Sequence, residues 1–306
     1  MLDDNKNIIV FILHEKTRLA RRTDKLAGAH KYRESFNAEH ANDKRLKTSV
    51  CARRGESVCC HILQSVRKSH AMSRRWIITG GSRGIGLATA QYALARGDRV
   101  AVLSRNLAAS VAPTSDRFMP LQTDVTQPDS VAAAITTVST AWGGVDVLVN
   151  NAGLHRGGRI ESLPLEDWNQ VLSVNLTGPL NCIRATLPHM SEGGSIVNIG
   201  AVVGLRGFPG DSAYGASKAG LSGLTRVLAI ELAKRQIRVN LVVPGLVITE
   251  MTTELTPIAR EALIKRIPLR RIGKDSEIAE VIYWVAGSTY ITGAVIPTDG
   301  GLMCTF

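Results

Sequence analysis

Aromatic residues are scarce in this chain, at 5% of 306 positions, while 44% are hydrophobic and 28 are glycine. A core of small and aliphatic side chains suits tightly packed α/β layers better than a β-sandwich. Cysteine is also sparse. The five present, Cys51, Cys59, Cys60, Cys182 and Cys304, are odd in number and form no CxxC pair. That argues against a disulfide framework and for a reducing compartment, the cytoplasm. Cys59-Cys60-His61 falls short of the ligand set a zinc site needs, so no metal is expected. Long apolar runs are missing too. The longest early one, Ile8 to Leu13, has six residues, against roughly 20 for a membrane-spanning helix. Asp3 and Asp4 precede it, where a secretory signal is basic and a transit peptide is poor in acids. No membrane association is expected.

Positive charge is plentiful but uneven. Residues 1–71 hold 15 Lys/Arg against 8 Asp/Glu, and residues 72–306 hold 22 against 18. The basicity belongs largely to the N-terminal segment, so the main domain carries no nucleic-acid signature. The chain also changes character near residue 72. Before it, charges are dense and periodicity is weak. After it, short apolar runs alternate with amphipathic stretches. We expect Met72 to be the natural start, with 1–71 a basic N-terminal extension that has no fold of its own and 72–306 the folded domain.

Strand patterns fall at 76–79, 99–104, 117–122, 145–150, 194–199, 237–243 and 294–298, with helix patterns at 86–95, 130–142, 165–190, 213–235, 257–267 and 275–286. Apolar strands alternating with helices indicate parallel β-α-β units with both sheet faces covered. The expected fold is α/β: a single domain with a Rossmann-type, doubly wound parallel sheet and helices on both faces.

Thr79-Gly-Gly-Ser-Arg-Gly-Ile-Gly86 follows the first strand and opens the first helix. In that context Gly80 allows a tight turn, Gly84 lets the backbone approach a pyrophosphate, and Gly86 permits close packing, with Ser82, Arg83 and Ile85 between them. The helix N-terminus offers amides and partial positive charge to the phosphates. The second strand ends in Ser104 and Arg105 rather than in the Asp or Glu that would hold a free ribose 2′-hydroxyl. Arg83 and Arg105 suit a 2′-phosphate, which guanidinium groups hold in forked hydrogen bonds. NADP(H) is therefore favoured over NAD(H).

Several further motifs agree: Asp124-Val125, Asn150-Asn-Ala-Gly153, Asn175 in VNLTG, Tyr214-x-x-x-Lys218, Pro244-Gly245 followed by Thr249, and the tail from Tyr290 to Gly301. Over about 72–303 the sequence resembles a short-chain dehydrogenase/reductase, and its tail is especially similar to the 3-oxoacyl-[acyl-carrier-protein] reductases. The resemblance implies that Asp124 and Val125 contact the adenine, that Asn151, Ala152 and Gly153 line the cofactor cleft, and that Pro244, Gly245, Val247 and Thr249 flank the nicotinamide. It also implies a homotetramer built through the long helices and the C-terminal strand.

For the chemistry, the resemblance assigns Tyr214 as the acid that protonates a ketone oxygen as hydride arrives. A free tyrosine titrates near 10, so the Lys218 ammonium and the oxidised nicotinamide are expected to bring the phenol down. Lys218 would also bind the nicotinamide ribose, and Asn175 would hold a water beside Lys218. The family's last member is a serine thirteen residues before the tyrosine. Here that position is Ala201, in an otherwise matching NIGAVVG. Ser195 lies too early to replace it, and no pattern marks Ser212 as a substitute. Losing one preorganised donor to a developing oxyanion costs about 10²–10³ in turnover.

The resemblance makes the substrate a 3-ketoacyl thioester on an acyl carrier protein, reduced in fatty acid or polyketide-type biosynthesis. Arg235 and the group Arg266, Arg270, Arg271 and Lys274 are the candidate contacts to that acidic carrier. Two alternatives stand: another ketone or CoA ester as substrate, or a weakly active cofactor-binding subunit of a heteromeric reductase.

Overall fold

The computed structural model describes residues 73–107, 116–247 and 257–305. The basic segment 1–71, Met72, the Cys59-Cys60-His61 cluster and Thr249 lie outside these.

Among the described residues, seven strands form one parallel sheet: β1 (Arg75–Thr79), β2 (Arg99–Ser104), β3 (Phe118–Gln122), β4 (Val145–Asn150), β5 (Met190–Ile199), β6 (Arg238–Pro244) and β7 (Val295–Thr298). Their order is β3-β2-β1-β4-β5-β6-β7, every neighbour parallel. The helices are α1 (Gly84–Leu94), α2 (Pro128–Trp142), α3 (Leu165–Leu172), α4 (Gly178–Thr186), the short α5 (Val203–Arg206), α6 (Ser212–Glu231), α7 (Pro257–Arg266) and α8 (Asp275–Gly287). This is the expected doubly wound arrangement, and all seven strand patterns reappear with ends shifted by a few residues. Among the described residues no helix is long and apolar enough to cross a membrane.

The two-residue period of a strand sorts the core. Ile77, Ala101, Leu103, Leu148, Ile196 and Val239 pack on one face with Val131, Ile135 and Val138 of α2, Cys182 and Ile183 of α4, and Leu228 of α6. Their neighbours Trp76, Ile78, Val100, Val102, Val149, Val197 and Val242 pack on the other face with Ala90 and Ala93 of α1 and Ile278, Ile282 and Val285 of α8. Both faces are covered, so the strands read as continuous apolar runs. Cys182 is fully buried there, and burial pushes its thiol up to about 12.

From β1 the chain winds outward to β3, then crosses back to β4 and winds the other way. That reversal opens a crevice beyond the carboxyl ends of β1 and β4. A buried polar chain ties this region to α6: Asn150 Nδ2 donates to Asn198 Oδ1 at 2.9 Å, and Asn198 Nδ2 donates to Thr225 Oγ1 at 2.9 Å.

One helix differs from expectation. The pattern at 165–190 is not continuous: α3 passes into a π turn at Ser173–Thr177, then into α4 and a 3₁₀ turn at Leu187–His189. A π turn inserts one residue into the helical repeat, and such turns gather at functional positions. This one carries Asn175.

Candidate active site

The glycine loop is set by contacts that admit no side chain. Gly80 and Gly84 have φ of 65° and 51°. A Cβ on Gly81 would stand 2.5 Å from Val102 Cγ1, and one on Gly86 would stand 2.4 Å from the Gly80 carbonyl oxygen and 2.5 Å from Asn151 Nδ2. Gly86 therefore makes room for the loop and Asn151 rather than for a strand. At the start of α1, Arg83 makes no side-chain cap and the first turn holds no acid. An eleven-residue helix thus presents uncapped amides beside a bare loop, which fits a pyrophosphate. Ser82 is half-buried in that loop, and Ile85 packs against the second core cluster.

At the end of β2, the Ser104 hydroxyl is buried without a hydrogen-bond partner. Arg105 beside it is exposed, as is Arg83. An orphaned hydroxyl followed directly by an exposed arginine, with no carboxylate on that strand end, fits a ribose phosphate. Arg105 also lines a cavity of about 650 Å³ with Asp124, Thr126, Ser173 and Val174. Asp124 Oδ1 accepts from the Thr126 backbone amide at 2.9 Å and its hydroxyl at 2.8 Å. Val125 is not turned to this cavity. Its side chain is buried against Gly178, and its carbonyl accepts from Asn181 Nδ2 at 3.0 Å.

Past β4, Asn151 Nδ2 donates to the carbonyls of Thr79 and Gly80 at 3.0 and 3.1 Å. The Thr79 hydroxyl accepts from the amides of Asn151 and Ala152, both at 3.0 Å. Sequence reasoning passed over Thr79, whose hydroxyl laces the two cofactor loops. Its only local signal was its place before the glycines, and a β-branched residue there reads simply as strand. Gly153 is exposed between the loops: a Cβ on it would lie 3.7 Å from both Asn175 Oδ1 and Lys218 Nζ.

Asn175 is fully buried. Its Oδ1 accepts from the Leu154 amide at 2.7 Å, and its Nδ2 donates to the Leu154 carbonyl at 2.9 Å and to Ser217 Oγ at 3.1 Å. Both amide hydrogens are committed, so the side chain fixes the loop after β4 against α6.

Tyr214 and Lys218 lie one turn apart on α6. Lys218 is 4% exposed, and its ammonium donates to the Ile199 carbonyl at 2.9 Å. Burial pushes Lys218 down to about 8. Gly204 of α5 lets this helix pack tightly, since a Cβ there would stand 2.7 Å from the Lys218 carbonyl carbon. Tyr214 departs from expectation. Burial, with the Asp211 carboxylate adding, pushes its phenol up to about 12. Lys218 Nζ is 5.6 Å from the phenol ring centre, and it does not offset those effects.

Ala201 is half-buried, two residues beyond the Ile199 carbonyl that holds Lys218. Its own carbonyl accepts from the Gly204 amide at 3.0 Å. Its methyl side chain carries no hydrogen-bond donor. Two serines lie nearby in the sequence. Ser195 sits inside β5 with a buried, unpartnered hydroxyl. Ser212 is two residues from Tyr214, so the two side chains project from different faces of α6.

Beyond β6, Pro244 and Val247 are buried, and Gly245 allows Asp299 to approach: a Cβ there would lie 2.7 Å from the Asp299 Cα. Two expected carrier contacts do not face this end freely. Arg235 donates to the carbonyls of Leu187 and Met190, both at 2.9 Å, at the start of β5 and so at the opposite end of the strands. Arg271 is paired with Glu277 at 2.6 Å. Charge in a sequence does not reveal which end of the sheet it serves.

The family described as enoyl-(acyl carrier protein) reductase matches residues 80–303. A zebrafish protein named carbonyl reductase family member 4 is 44% identical over 236 residues, spanning 76% of this chain and 98% of that protein. The 3-oxoacyl-[acyl-carrier-protein] reductase FabG of Thermotoga maritima is 42% identical over 237 residues, spanning 74% and 96%. Among solved structures, a Serratia marcescens short-chain dehydrogenase/reductase variant is 33% identical with a TM-score of 0.71, over 75% of this chain and 98% of its own. A metagenomic blue fluorescent protein in complex with NADPH is 33% identical with a TM-score of 0.69, over 75% and 97%. The glycine loop, the crevice at the sheet reversal and the Tyr214–Lys218 turn thus belong to a member of the short-chain dehydrogenase/reductase family, an oxidoreductase acting between carbonyl and hydroxyl groups.

Proposed function

We propose that the protein reduces a 3-ketoacyl thioester to the 3-hydroxyacyl form with NADPH. The observation that carries this reading is the buried Lys218, one turn from Tyr214 on α6 and held by the Ile199 carbonyl at the carboxyl end of β5, beside Gly153 of the loop that packs on the glycine turn. The nicotinamide cofactor supplies the hydride. Gly80, Ser82, Gly84 and the first amides of α1 hold its pyrophosphate. Arg83, Ser104 and Arg105 hold the 2′-phosphate. Tyr214 keeps its proton at neutral pH and donates it to the substrate oxygen, Lys218 supplies positive charge beside the resulting phenolate, and Asn175 fixes the loop that carries Gly153. The Thermotoga relative supports the carrier-bound substrate; the zebrafish relative supports a simpler ketone. Exposed Val227 and Ile230 on α6 and Trp284 on α8 support a homotetramer. Residues 1–71 stand outside the catalytic domain in this reading.

The test is steady-state reduction of acetoacetyl thioesters, on CoA and on an acyl carrier protein, with NADPH and NADH. Turnover with NADPH in preference to NADH is expected. Tyr214→Phe should lower kcat about 10³-fold while NADPH still binds. Absence of reduction by the wild-type protein, or turnover undiminished in Tyr214→Phe, would overturn the reading.

A further inference from the structure

Asp211 occupies the N-cap position of α6, where an aspartate ordinarily accepts from the helix amides for about 1 kcal/mol. It makes no such side-chain bond. Its Oδ1 lies instead 2.7 Å from Nε2 of His155, in the loop after β4. The side chains are only 16% and 35% exposed. The backbone fixes this meeting: the Gly158 amide donates to the Gly210 carbonyl at 2.8 Å, and Gly158 pairs with Asp211 in a parallel bridge. The His155 ring also stands edge-on to the Tyr214 ring, with centres 5.1 Å apart and planes 79° apart. Asp211 is three residues before Tyr214, on the same side of the helix.

We propose that His155 and Asp211 form a positioning pair for Tyr214, the ring edge fixing the phenol in the cleft and the imidazole proton offsetting the Asp211 charge as Tyr214 gives up its own. This rests on Tyr214 being the acid of the proposed reduction. The physical need is plain. A carboxylate one turn away opposes a phenolate, and Asp211 is one of the causes that push this phenol up. A protonated imidazole on that carboxylate cancels most of its field at the phenol. The edge-to-face contact holds the ring in one orientation.

Among the described residues, other charged groups on neighbouring segments have partners of their own. Lys218 of α6 is held by the Ile199 carbonyl. Arg156, next to His155, faces Asp167 at 3.8 Å. Arg206 of α5 bonds the Leu302 carbonyl and the Thr305 hydroxyl. The end of β5, from Asn198 to Ala201, brings no charge. Among these, His155 is the group whose ordinary titration range falls between pH 5 and 8.

The variants are His155→Phe, which keeps an aromatic edge without a proton, and Asp211→Asn, which removes the charge. Reduction is followed from pH 5.5 to 9, with NADPH binding measured alongside. In the wild-type protein kcat should decline through the histidine range. His155→Phe should lower kcat at pH 6 about tenfold, abolish that decline, and change KM less than kcat. Asp211→Asn should also abolish the decline but keep kcat near the wild-type value at pH 6. The double variant should match Asp211→Asn. An unchanged pH profile in His155→Phe, or parallel loss of NADPH binding in both variants, would overturn the proposal. Direct ultraviolet titration of tyrosinate, with Tyr214→Phe subtracted, separates the pair from the reaction. Asp211→Asn should bring Tyr214 ionisation about one pH unit lower, even if no thioester is reduced. An unmoved titration would sink the pair by itself, while a moved titration without any reduction would sink only the reductase reading.

Discussion

At the nucleotide end of the crevice, between β1 and β2, the chain builds its site from backbone. Gly80 makes room for Ala152, Gly81 for Val102 and Gly86 for the Gly80 carbonyl, and α1 presents bare amides. At the substrate end, beyond β4 and β5, the site is made of side chains brought in from separate segments. Leu154 meets Asn175, Ile199 meets Lys218, and His155 meets Asp211 across 56 residues. A backbone-built site depends on local conformation, so few residues fit and each change is costly. A side-chain site can lose one member without any effect on the fold. The two ends should therefore fail differently when altered.

The largest effect is expected at the nucleotide end. Gly86→Ala places a methyl 2.4 Å from the Gly80 carbonyl oxygen, and backbone there has no room to give. NADPH affinity should drop about 100-fold, roughly 3 kcal/mol, as the loop shifts. Gly223→Ala on α6 is the control, since nothing lies within 4 Å of that position; it should leave binding unchanged. Titration calorimetry on both variants decides. Equal affinity in Gly86→Ala would mean the loop is not the rigid partner in this comparison.

A smaller, opposite effect is expected at the substrate end. Ala201→Ser places a hydroxyl two residues beyond Ile199, whose carbonyl holds Lys218. One donor to a developing oxyanion is worth up to about 10²–10³ in turnover, and in the proposed reduction Tyr214 supplies part of that. Ketoacyl reduction by NADPH should rise at least tenfold while NADPH affinity stays the same. Unchanged turnover would mean that another group already serves as donor.

The same contrast explains what could be read in the sequence. The strands were legible because buried parallel strands are continuous apolar runs, and the glycine loop because only glycine fits its contacts. The break at Ser173–Thr177 was not legible: one inserted residue barely disturbs an apolar repeat, so 165–190 reads as a single helix. Asn175 was visible as a motif, but its bonds to Leu154 and Ser217 were not. The His155–Asp211 pair left no local trace, because the two loops are joined only by the fold. Arg235 looked like a surface cation for an acidic partner, whereas it closes carbonyls at the start of β5, the far end of the strands from the site. The rise of the Tyr214 phenol likewise comes from burial and from Asp211, whose effect depends on where the folded helix places it.

Lys218 offers the finest test, because its two consequences have opposite signs. Burial brings it from 10.5 to about 8. The proposed reduction needs the ammonium, so kcat/KM in the free enzyme should be halved near pH 8 and decline about tenfold per pH unit above it. Stability runs the other way. Between pH 8 and 10.5 the unfolded chain holds a proton on this lysine that the folded chain has released, so stability rises with pH across that window. The gain, on the order of 3 kcal/mol, is complete above 10.5 and is lost as pH falls through about 8. Denaturant unfolding of the wild-type protein against Lys218→Met isolates it: the gap between them should change in favour of the wild type from pH 8 to 10.5. A gap that stays constant, with activity still declining above pH 8, would assign that decline to another group and leave Lys218 charged throughout.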